Sequence, residues 1–314
     1  MKQNILKSLL LIVLLLTGSH AFAHDFVAQN SDGVTIYYNI TSASDLTVEV
    51  TYMGYSYDYY RNEYFDNVII PENVTYNSKT YSVTSIGSFA FKDCSGLTSV
   101  TIPNSVTSIG MDAFANCSSL TSAIVPRNVT KINTGAFLKC SGLISITISD
   151  NVTFIGECAF YKCTSLTSLT IPKSVTEIDY EAFYGCSGLT EIICKSATPA
   201  TADDNIFDEV PTTATLYVPV GSKEAYSNAA SWSHFTNIVE DDLKTGVEST
   251  LADSDVNISI ENGNIVVNGT DSAKVEVYST NGQCVYNGTA TTIPVSSKGL
   301  YIVKVGNKSF KVIL

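Results

Sequence analysis

A repeat of 23 residues constrains the possible folds of this chain more than any other feature of its sequence. Isoleucine, phenylalanine, alanine and leucine each recur at that interval through five consecutive units, with no insertion. The four columns are Ile86, Ile109, Ile132, Ile155 and Ile178; Phe91, Phe114, Phe137, Phe160 and Phe183; Ala90, Ala113, Ala136, Ala159 and Ala182; and Leu97, Leu120, Leu143, Leu166 and Leu189. Because one unit cannot bury its apolar edge alone, such units must stack so that the columns form one continuous core. The sequence therefore predicts a solenoid.

Each unit reads as one coil of this solenoid. In the second unit, residues 99–102 alternate in polarity as a short strand does, and residues 106–109 form a second extended run. Gly110 then turns the chain, and its column holds residues that tolerate positive φ or cap the start of a helix. Residues 113–114 are expected on a short helical turn. We therefore predict a β-rich α/β solenoid over residues 83–197.

Cysteine also recurs once in every coil. The members of this column are Cys94, Cys117, Cys140, Cys163 and Cys186. A coil spacing of about 4.8 Å leaves disulfides open on distance alone. Stacked positions have parallel Cβ vectors, however, and the number is odd, so we expect a structural ladder of buried thiols. Cys158, Cys194 and Cys284 lie off the ladder, and without a CxxC pair or a Cys/His cluster we expect no zinc site.

The first 23 residues have the pattern of a secretory signal peptide. Lys2 and Lys7 give a basic start, residues 9–16 are apolar, and the small residues at 21–23 predict cleavage before His24. No later stretch reaches about 18 apolar residues, so we expect no membrane-spanning segment in the mature chain. The predicted location is the cell surface or the extracellular medium, with the periplasm as an alternative.

Charge and histidine content argue against two classes of function. The net charge is −12, and no concentrated Lys/Arg face is apparent, so we expect no nucleic-acid partner. The mature chain would keep only His24 and His234, and it has no Gly-x-Ser-x-Gly, HExxH or phosphate-binding glycine loop. The acidic pairs at 203–204 and 208–209 are interpreted as solvated loops or a weak calcium site. We predict that the protein is not an enzyme and needs no cofactor.

The repeats resemble a known family. "VTSIGMDAFANCSSLTSAIVP" and "VTEIDYEAFYGCSGLTEIIC" are similar to the BspA-type leucine-rich repeats of bacterial surface proteins. The leading segment "VTYNSKTYSVTSIG" and the closing segment "TLYVPVGSKEAYSNAASWSHFTNIVE" extend the resemblance over about residues 25–242. It implies a leucine-rich-repeat solenoid whose cysteine column takes the Cys/Asn position and whose last coil is sealed by Trp232. It also implies adhesion to host matrix proteins or to other bacteria.

The carboxy-terminal residues follow a different pattern. Short alternating strands are separated by Asn-Gly turns at 262–263 and 281–282, which predicts a small all-β sandwich. "KVEVYSTNGQCVYNG" and "GLYIVKVGNKSFKVIL" resemble the carboxy-terminal sorting domain of type IX secretion substrates. That resemblance implies that residues 247–314 engage the secretion machinery.

Three surfaces are candidates for binding a partner. Columns of Ser and Thr line the predicted strands, although β-branched Thr also suits any exposed strand. An aromatic stripe could anchor an interface or could pack coil against coil; its members are Phe154, Tyr161, Tyr180 and Tyr184. A tyrosine-rich segment exceeds what a cap strand requires, although it could be a hairpin that covers the first coil. Its members are Tyr52, Tyr55, Tyr57, Tyr59, Tyr60 and Tyr64.

The predicted organisation has six parts. These are a signal peptide (1–23), an amino-terminal β-rich cap (24–82), five repeats (83–197), a closing cap (198–242), a linker (243–255) and the β-sandwich (256–314). The predicted function is that of an exported adhesin, which recognises a matrix protein, a mucin or other bacteria through the solenoid. The alternatives are a structural envelope component and an accessory protein that captures glycans.

Overall fold

The computed structural model of the chain describes residues 24–53, 63–203, 205–245, 257–261, 264–268, 274–279, 283–295, 300–305 and 308–313. The predicted signal peptide and most of the predicted linker lie outside these residues. The chain divides into two compact units, the first ending at Glu240 and the second beginning at Asp241. None of the helices in the described part of the chain has the length and apolar character needed to cross a membrane.

The first unit begins with a β-sheet that covers the first coil. Its strands, in sheet order, are β1 (Phe26–Gln29), β2 (Thr35–Ser42), β3 (Thr47–Thr51), β6 (Lys79–Ile86) and β5 (Asn73–Tyr76). The pairings are antiparallel except that β3 and β6 run parallel. The last residues of β6 also pair in parallel with β8 (Ser108–Ile109), so this sheet leads directly into the solenoid.

Two sides of the solenoid consist of parallel β-strands, one from each coil. The longer strands are β4 (Asp66–Ile69), β7 (Leu97–Thr101), β9 (Ser122–Ile124), β11 (Ser145–Thr147), β13 (Ser168–Ile171), β15 (Glu191–Cys194), β17 (Thr215–Val218) and β18 (Asn237–Glu240). On this first side they form two four-stranded sheets that adjoin between β11 and β13. The second side continues from β8 through β10 (Lys131–Ile132), β12 (Phe154–Ile155), β14 (Glu177–Ile178) and β16 (Thr201–Ala202). The register aligns equivalent residues, as Ser122 aligns with Ser145, so each sequence column is also a column in space.

The third side is built from turns, and the predicted helical turn is wrong. Two positions in each coil have positive φ, which an α-helix does not permit. The first column is Phe89, Asp112, Gly135, Cys158, Glu181 and Asn205, and the second is Asp93, Asn116, Lys139, Lys162, Gly185 and Glu209. Between them, backbone N–H groups bond to the next coil, as the Phe114 amide does to the Ala136 carbonyl at 2.8 Å.

The α part of the predicted α/β class is therefore wrong, and the unit is a mostly-β solenoid. A helix would use these N–H groups within one coil, whereas the structure uses them to join neighbouring coils. The described residues of the first unit contain one short α-helix, α1 (Lys223–Asn228), and one 3₁₀ turn (Trp232–His234), both in the closing segment. The second unit begins with a short helix, α2 (Asp242–Thr245).

The column of Gly110 was predicted to turn the chain through residues that tolerate positive φ, but in the structure its glycines allow close contact between coils. Gly110 does not have positive φ. A Cβ at this position would lie 2.4 Å from the backbone nitrogen of Ser88 in the preceding coil, and one at Gly156 would lie 2.8 Å from that of Thr134. Glycine is therefore used in this column because successive coils approach closely there.

A stack of aromatic rings runs through the core of the solenoid. Successive ring centroids lie 4.9 to 5.7 Å apart through Phe91, Phe114, Phe137, Phe160, Phe183 and Phe207. Tyr64 begins the stack, 4.5 Å from Phe91, and Trp232 closes it with an edge-on contact 5.2 Å from Phe207. The predicted repeats end at residue 197, but Phe207 belongs to a further coil whose strands β16 and β17 pair with β14 and β15. The spacing from Phe183 to Phe207 is 24 residues, one more than in the preceding coils, so the repeat count missed this coil.

The second unit contains two antiparallel sheets. One consists of β19 (Asn257–Glu261), β20 (Asn264–Asn268) and β23 (Thr292–Pro294). The other consists of β22 (Cys284–Gly288), β21 (Val275–Ser279), β24 (Leu300–Val305) and β25 (Lys308–Ile313). Buried side chains of both sheets belong to one apolar cluster: Ile265, Val267, Ile293, Val275, Val277, Tyr301, Val303 and Val305. Both predicted Asn-Gly turns lie outside the described residues.

Candidate interaction surfaces

Only part of the tyrosine-rich segment can be placed. Tyr55, Tyr57, Tyr59 and Tyr60 lie outside the described residues, and Tyr52 is half-buried. Tyr64 is fully buried, and its hydroxyl donates to the Thr51 carbonyl at 2.8 Å. Burial raises the pKa of this phenol well above its ordinary value. The structure therefore corrects the prediction for Tyr64, which serves as the first ring of the core stack and presents no surface to a partner.

Glu63 joins the two ends of that segment. Its Oε2 accepts a hydrogen bond from the Met53 amide at 2.7 Å, while Oε1 is buried with no hydrogen-bond partner among the described residues. Burial raises the pKa of the Glu63 carboxyl to about 7. Because the pKa of Glu63 is higher in the folded state than in the unfolded chain, the folded state holds the proton of this carboxyl more tightly.

Glu63→Gln is expected to remove a pH dependence of stability. In the parent chain the Glu63 carboxyl is uncharged in both the folded and the unfolded state when the pH is below about 4.5, so burying it costs no ionisation energy there. As the pH rises from about 4.5 towards 7, the unfolded chain ionises this carboxyl and the folded state does not, so the free energy of unfolding falls. At higher pH the variant should be more stable by about 1 kcal/mol, which allows for solvent screening of a half-exposed group. Urea denaturation across this pH range measures the effect, with the exposed carboxylate Glu72→Gln as the control. Equal pH dependence in the parent and Glu63→Gln would contradict the assignment.

The aromatic stripe is only partly assembled. Tyr161 and Tyr184 stack with centroids 5.0 Å apart, and the Lys162 ammonium lies 5.4 and 5.9 Å from their ring centres. The Tyr184 hydroxyl donates to Glu209 Oε1 at 2.8 Å, and this hydrogen bond raises the pKa of Tyr184 to about 12. Such a stacked pair under a cation is held in place by contacts between coils.

The other two members of the stripe lie elsewhere. Tyr180 is 41% exposed at the first position of its turn. Phe154 is half-buried on the second parallel sheet, in β12, where the Lys131 ammonium lies 5.7 Å from its ring centre. The structure thus brings together Tyr161 and Tyr184, and it places Phe154 on a different side of the coil.

The thiols of the cysteine ladder bond between coils. Cys117 Sγ donates to the Phe91 carbonyl at 3.1 Å, and the same bond recurs from Cys140, Cys163 and Cys186 to the Phe carbonyl of the preceding coil. All eight cysteines are free. Burial raises the pKa of Cys94 to about 11 and that of Cys186 to about 12.

Thiol labelling of the native protein is expected to reach one cysteine quickly. Cys284 is exposed, whereas Cys158 is partly buried with its pKa raised to about 11, chiefly by burial, and the remaining six are buried. Because the thiolate is the reactive form, a chromogenic disulfide near pH 8 should react fast with Cys284, slowly with Cys158, and with all the others only after unfolding. Cys284→Ser should remove the fast phase. A second fast thiol that persists in Cys284→Ser would contradict this order.

The outer face of the longer parallel sheet has the least charged composition of these surfaces. We call it the sheet face, and it consists of the outward residues at and beside β7, β9, β11 and β13: Thr98, Ser99, Thr101, Thr121, Ser122, Ile124, Ile144, Ser145, Thr147, Thr167, Ser168 and Thr170. None of them carries a charge. Ile124 is 65% and Ile144 is 51% exposed, and the exposed Phe65 and Ile69 continue the apolar character at β4. The sequence predicted that the Ser and Thr columns, with Ile124 among them, are exposed, but it did not predict the exposure of Phe65, Ile69 and Ile144.

Basic side chains border the sheet face on both sides. Where the turns meet it, Lys139 and Lys162 line a shallow groove of about 600 Å³ together with the acidic Asp93 and with uncharged polar residues of four successive coils. At the other ends of the strands, Arg127 lines a groove of about 390 Å³ beside Ile124. No ion pair of these three cations with another described residue is present, whereas the nearby Asp150 pairs with Lys195 at 3.3 Å. Along these borders the four cations Lys139, Lys162, Arg127 and Lys195 outnumber the carboxylates of Asp93 and Asp150, in a chain whose net charge is −12.

The structure offers no cluster of three or more His, Cys, Asp or Glu side chains suited to a metal ion within the described residues. His234 is engaged with the backbone, since its Nε2 lies 2.8 Å from the Val210 carbonyl oxygen.

Comparison with solved structures finds other leucine-rich-repeat proteins. A leucine-rich repeat protein from Bacteroides ovatus is 25% identical, with a TM-score of 0.45, over 68% of this chain and 61% of that one. A leucine-rich-repeat protein from T. pallidum is 20% identical, with a TM-score of 0.44, over 60% of this chain and 92% of that one. A leucine rich cell surface protein from Faecalibacterium prausnitzii is 25% identical, with a TM-score of 0.34, over 57% of this chain and 57% of that one. The chain thus spans about three fifths of the length of the B. ovatus protein. A comparison with curated proteins finds no match.

The family profile described as "BspA type Leucine rich repeat region" matches the sequence in 6 copies, over residues 56–190 and 153–265. These segments cover more than half of the chain and include the coil around Phe207 that the five-unit count missed. The matched residues contain the Phe stack, the thiol column and both parallel sheets of the solenoid. The chain belongs to the BspA-type leucine-rich repeat family.

Proposed function

We propose that this chain is an exported surface protein that binds another protein through the sheet face. The observation that carries the proposal is an exposed, uncharged sheet surface that contains Ile124 and Ile144 in a chain of net charge −12. The centres of protein interfaces are depleted in charged residues, and their rims are polar. The sheet face has both properties, because hydroxyl groups surround the isoleucines and cations lie only at its borders.

Export and adhesion complete the proposal. The amino-terminal pattern of a signal peptide supports export, and family membership supports a protein-binding role at the cell surface. A matrix protein, a mucin or a surface protein of another bacterium is the proposed kind of ligand. The proposal assigns the molecule no catalytic step.

We further propose that the second unit is a small β-sandwich that serves as a sorting domain. The support is the pair of antiparallel sheets that share one apolar cluster, together with the resemblance of residues 247–314 to sorting domains of type IX substrates. Deleting residues 247–314 should leave the protein inside the cell envelope. Surface display of the truncated chain, measured by antibody labelling of intact cells, would contradict this role.

The binding proposal is tested with the full chain on an array of matrix proteins, mucins and bacterial surface proteins. Ile124→Glu and Ile144→Glu should each weaken saturable binding by about thirtyfold, the effect of losing one hot-spot residue. Met111→Glu is the matched control, because Met111 is an exposed apolar residue on the turn side and should bind like the parent. Binding that survives both isoleucine variants, or that is lost equally in the control, would overturn the sheet face as the site.

A further inference from the structure

We infer that the segment docked on the sheet face is an acidic, extended stretch of polypeptide. This inference rests on the proposed function and names the chemistry of the partner. Ile124 and Ile144 require apolar contact from the ligand, which a charged glycan chain does not supply. The border of the sheet face then favours a negatively charged ligand, because its cations can attract the carboxylates of a segment that crosses the coils.

Lys139 and Lys162 are positioned to receive these carboxylates. Both have left-handed backbone conformations, with φ of 54° and 55°, and they occupy equivalent positions in successive coils. The Lys139 amide bonds to the Tyr161 carbonyl at 2.7 Å and the Lys162 amide to the Tyr184 carbonyl at 2.7 Å, so the two Cα positions are held by the ladder between coils. Neither ammonium is paired with a carboxylate among the described residues, so both remain available to a ligand.

The stem of Lys162 is further restricted by its surroundings. Its ammonium lies over the rings of Tyr161 and Tyr184, and a Cβ at Gly185 in the next coil would lie 2.8 Å from Lys162 Cγ. Glycine at that position therefore leaves the space that the lysine stem uses. A cation held in this way loses less side-chain entropy on binding than a free surface lysine does.

The geometry of the coils fits an extended ligand. Equivalent residues of neighbouring coils are separated by about 4.8 Å, and alternate side chains of an extended peptide by about 6.7 Å. The flexible stem of Lys139 can bridge this difference, so carboxylates at alternate positions can meet Lys139 and the more restricted Lys162 while the intervening side chains face the sheet. On the opposite border Arg127 supplies a third cation beside Ile124.

The net charge of −12 repels an acidic segment from most of the molecule, so the attraction that selects such a segment is local to the border of the sheet face. With 30 acidic and 18 basic residues, most of the molecule would attract a basic ligand without any preference for the sheet face. A basic segment would gain nothing from Lys139, Lys162 or Arg127. An acidic segment is attracted at this border in particular, so electrostatics direct it to the uncharged sheet face.

The test uses the full chain and fluorescent peptides of about ten residues, long enough to cross four coils. One peptide alternates Glu with Val, and its matched partner alternates Gln with Val. Fluorescence anisotropy at about 50 mM salt should show at least tenfold tighter binding of the Glu peptide, and the preference should shrink at about 0.5 M salt. Lys139→Gln/Lys162→Gln should abolish the preference, while Lys131→Gln, on the second parallel sheet, should retain it.

Other outcomes would overturn the inference and remain separable from the proposed function. Equal binding of both peptides, or binding of neither, overturns the acidic partner; the proposed function still stands if Ile124→Glu abolishes binding to the protein array. Displacement of the Glu peptide by heparin, with heparin binding unchanged in Ile124→Glu, would assign the border to an anionic glycan. Self-association that is lost in Lys139→Gln/Lys162→Gln, measured by sedimentation, would assign the face to a second copy of this chain.

Discussion

Replacing Phe137 with alanine is expected to lower the free energy of unfolding of the solenoid by about 4 kcal/mol. Phe137 is fully buried at the middle of the aromatic stack, with ring centroids 5.3 Å from Phe114 and 5.4 Å from Phe160. Truncation removes the buried ring and leaves a cavity that the neighbouring coils cannot close, because each is held at fixed spacing by hydrogen bonds. The loss corresponds to a fall in Tm of about 10 °C.

Circular dichroism during urea and thermal unfolding measures this effect, and Phe137→Leu provides the control. Leucine refills part of the volume but cannot stack, so it should cost about half as much as alanine. In a solenoid each coil contacts only its neighbours, so a weak central coil should also broaden the transition. A loss of less than about 1 kcal/mol in Phe137→Ala would mean that the stack is not the main support of the core.

Replacing Trp232 with alanine is expected to open the closing segment of the solenoid. Trp232 is 1% exposed, packs edge-on against Phe207 and Tyr226, and donates its Nε1–H to the Ala200 carbonyl at 3.0 Å. Removing the ring should cost about 3 to 5 kcal/mol locally. Phe207 would then face solvent, and terminal coils without a cover tend to associate with other molecules.

The change should appear as concentration-dependent association in sedimentation and as early loss of structure in the closing segment by hydrogen exchange. Trp232→Phe keeps ring contacts with Phe207 but loses the hydrogen bond to Ala200, so it should cost about 1 to 2 kcal/mol and remain monodisperse. Since Trp232 is the single tryptophan, fluorescence of the parent protein reports directly on this segment. A monodisperse Trp232→Ala with parent-like exchange would show that the segment does not depend on this ring.

The 23-residue period was sufficient to predict that the chain forms a stacked solenoid with columns of Ile, Phe and Leu in its core. This succeeded because a strict period leaves only one way to bury the same apolar positions in every unit. The predicted Ala-Phe helical turn failed for a related reason. Helix propensity describes one coil in isolation, whereas the N–H groups of residues such as Phe114 are satisfied by the next coil.

Candidate binding residues were harder to assign. Tyrosines attract attention as interface residues, yet Tyr64 completes a stack that begins only when the first coil is covered, and Tyr161 and Tyr184 stack on each other. Burial of a side chain depends on what packs over it, and the period cannot show this at the ends of an array or between columns. The exposure of Ile144 was hidden for the same reason, since its column otherwise holds threonine.

The sequence by itself determined the repeat, the family and the residues that alternate between core and surface, because these depend on spacing along the chain. Only the tertiary structure decided that the third side consists of turns with left-handed residues, that Tyr64 begins the aromatic stack, and that cations lie along both borders of the uncharged face. These features depend on contacts between coils that are 23 or more residues apart, where hydrogen bonding and close packing outweigh local preference.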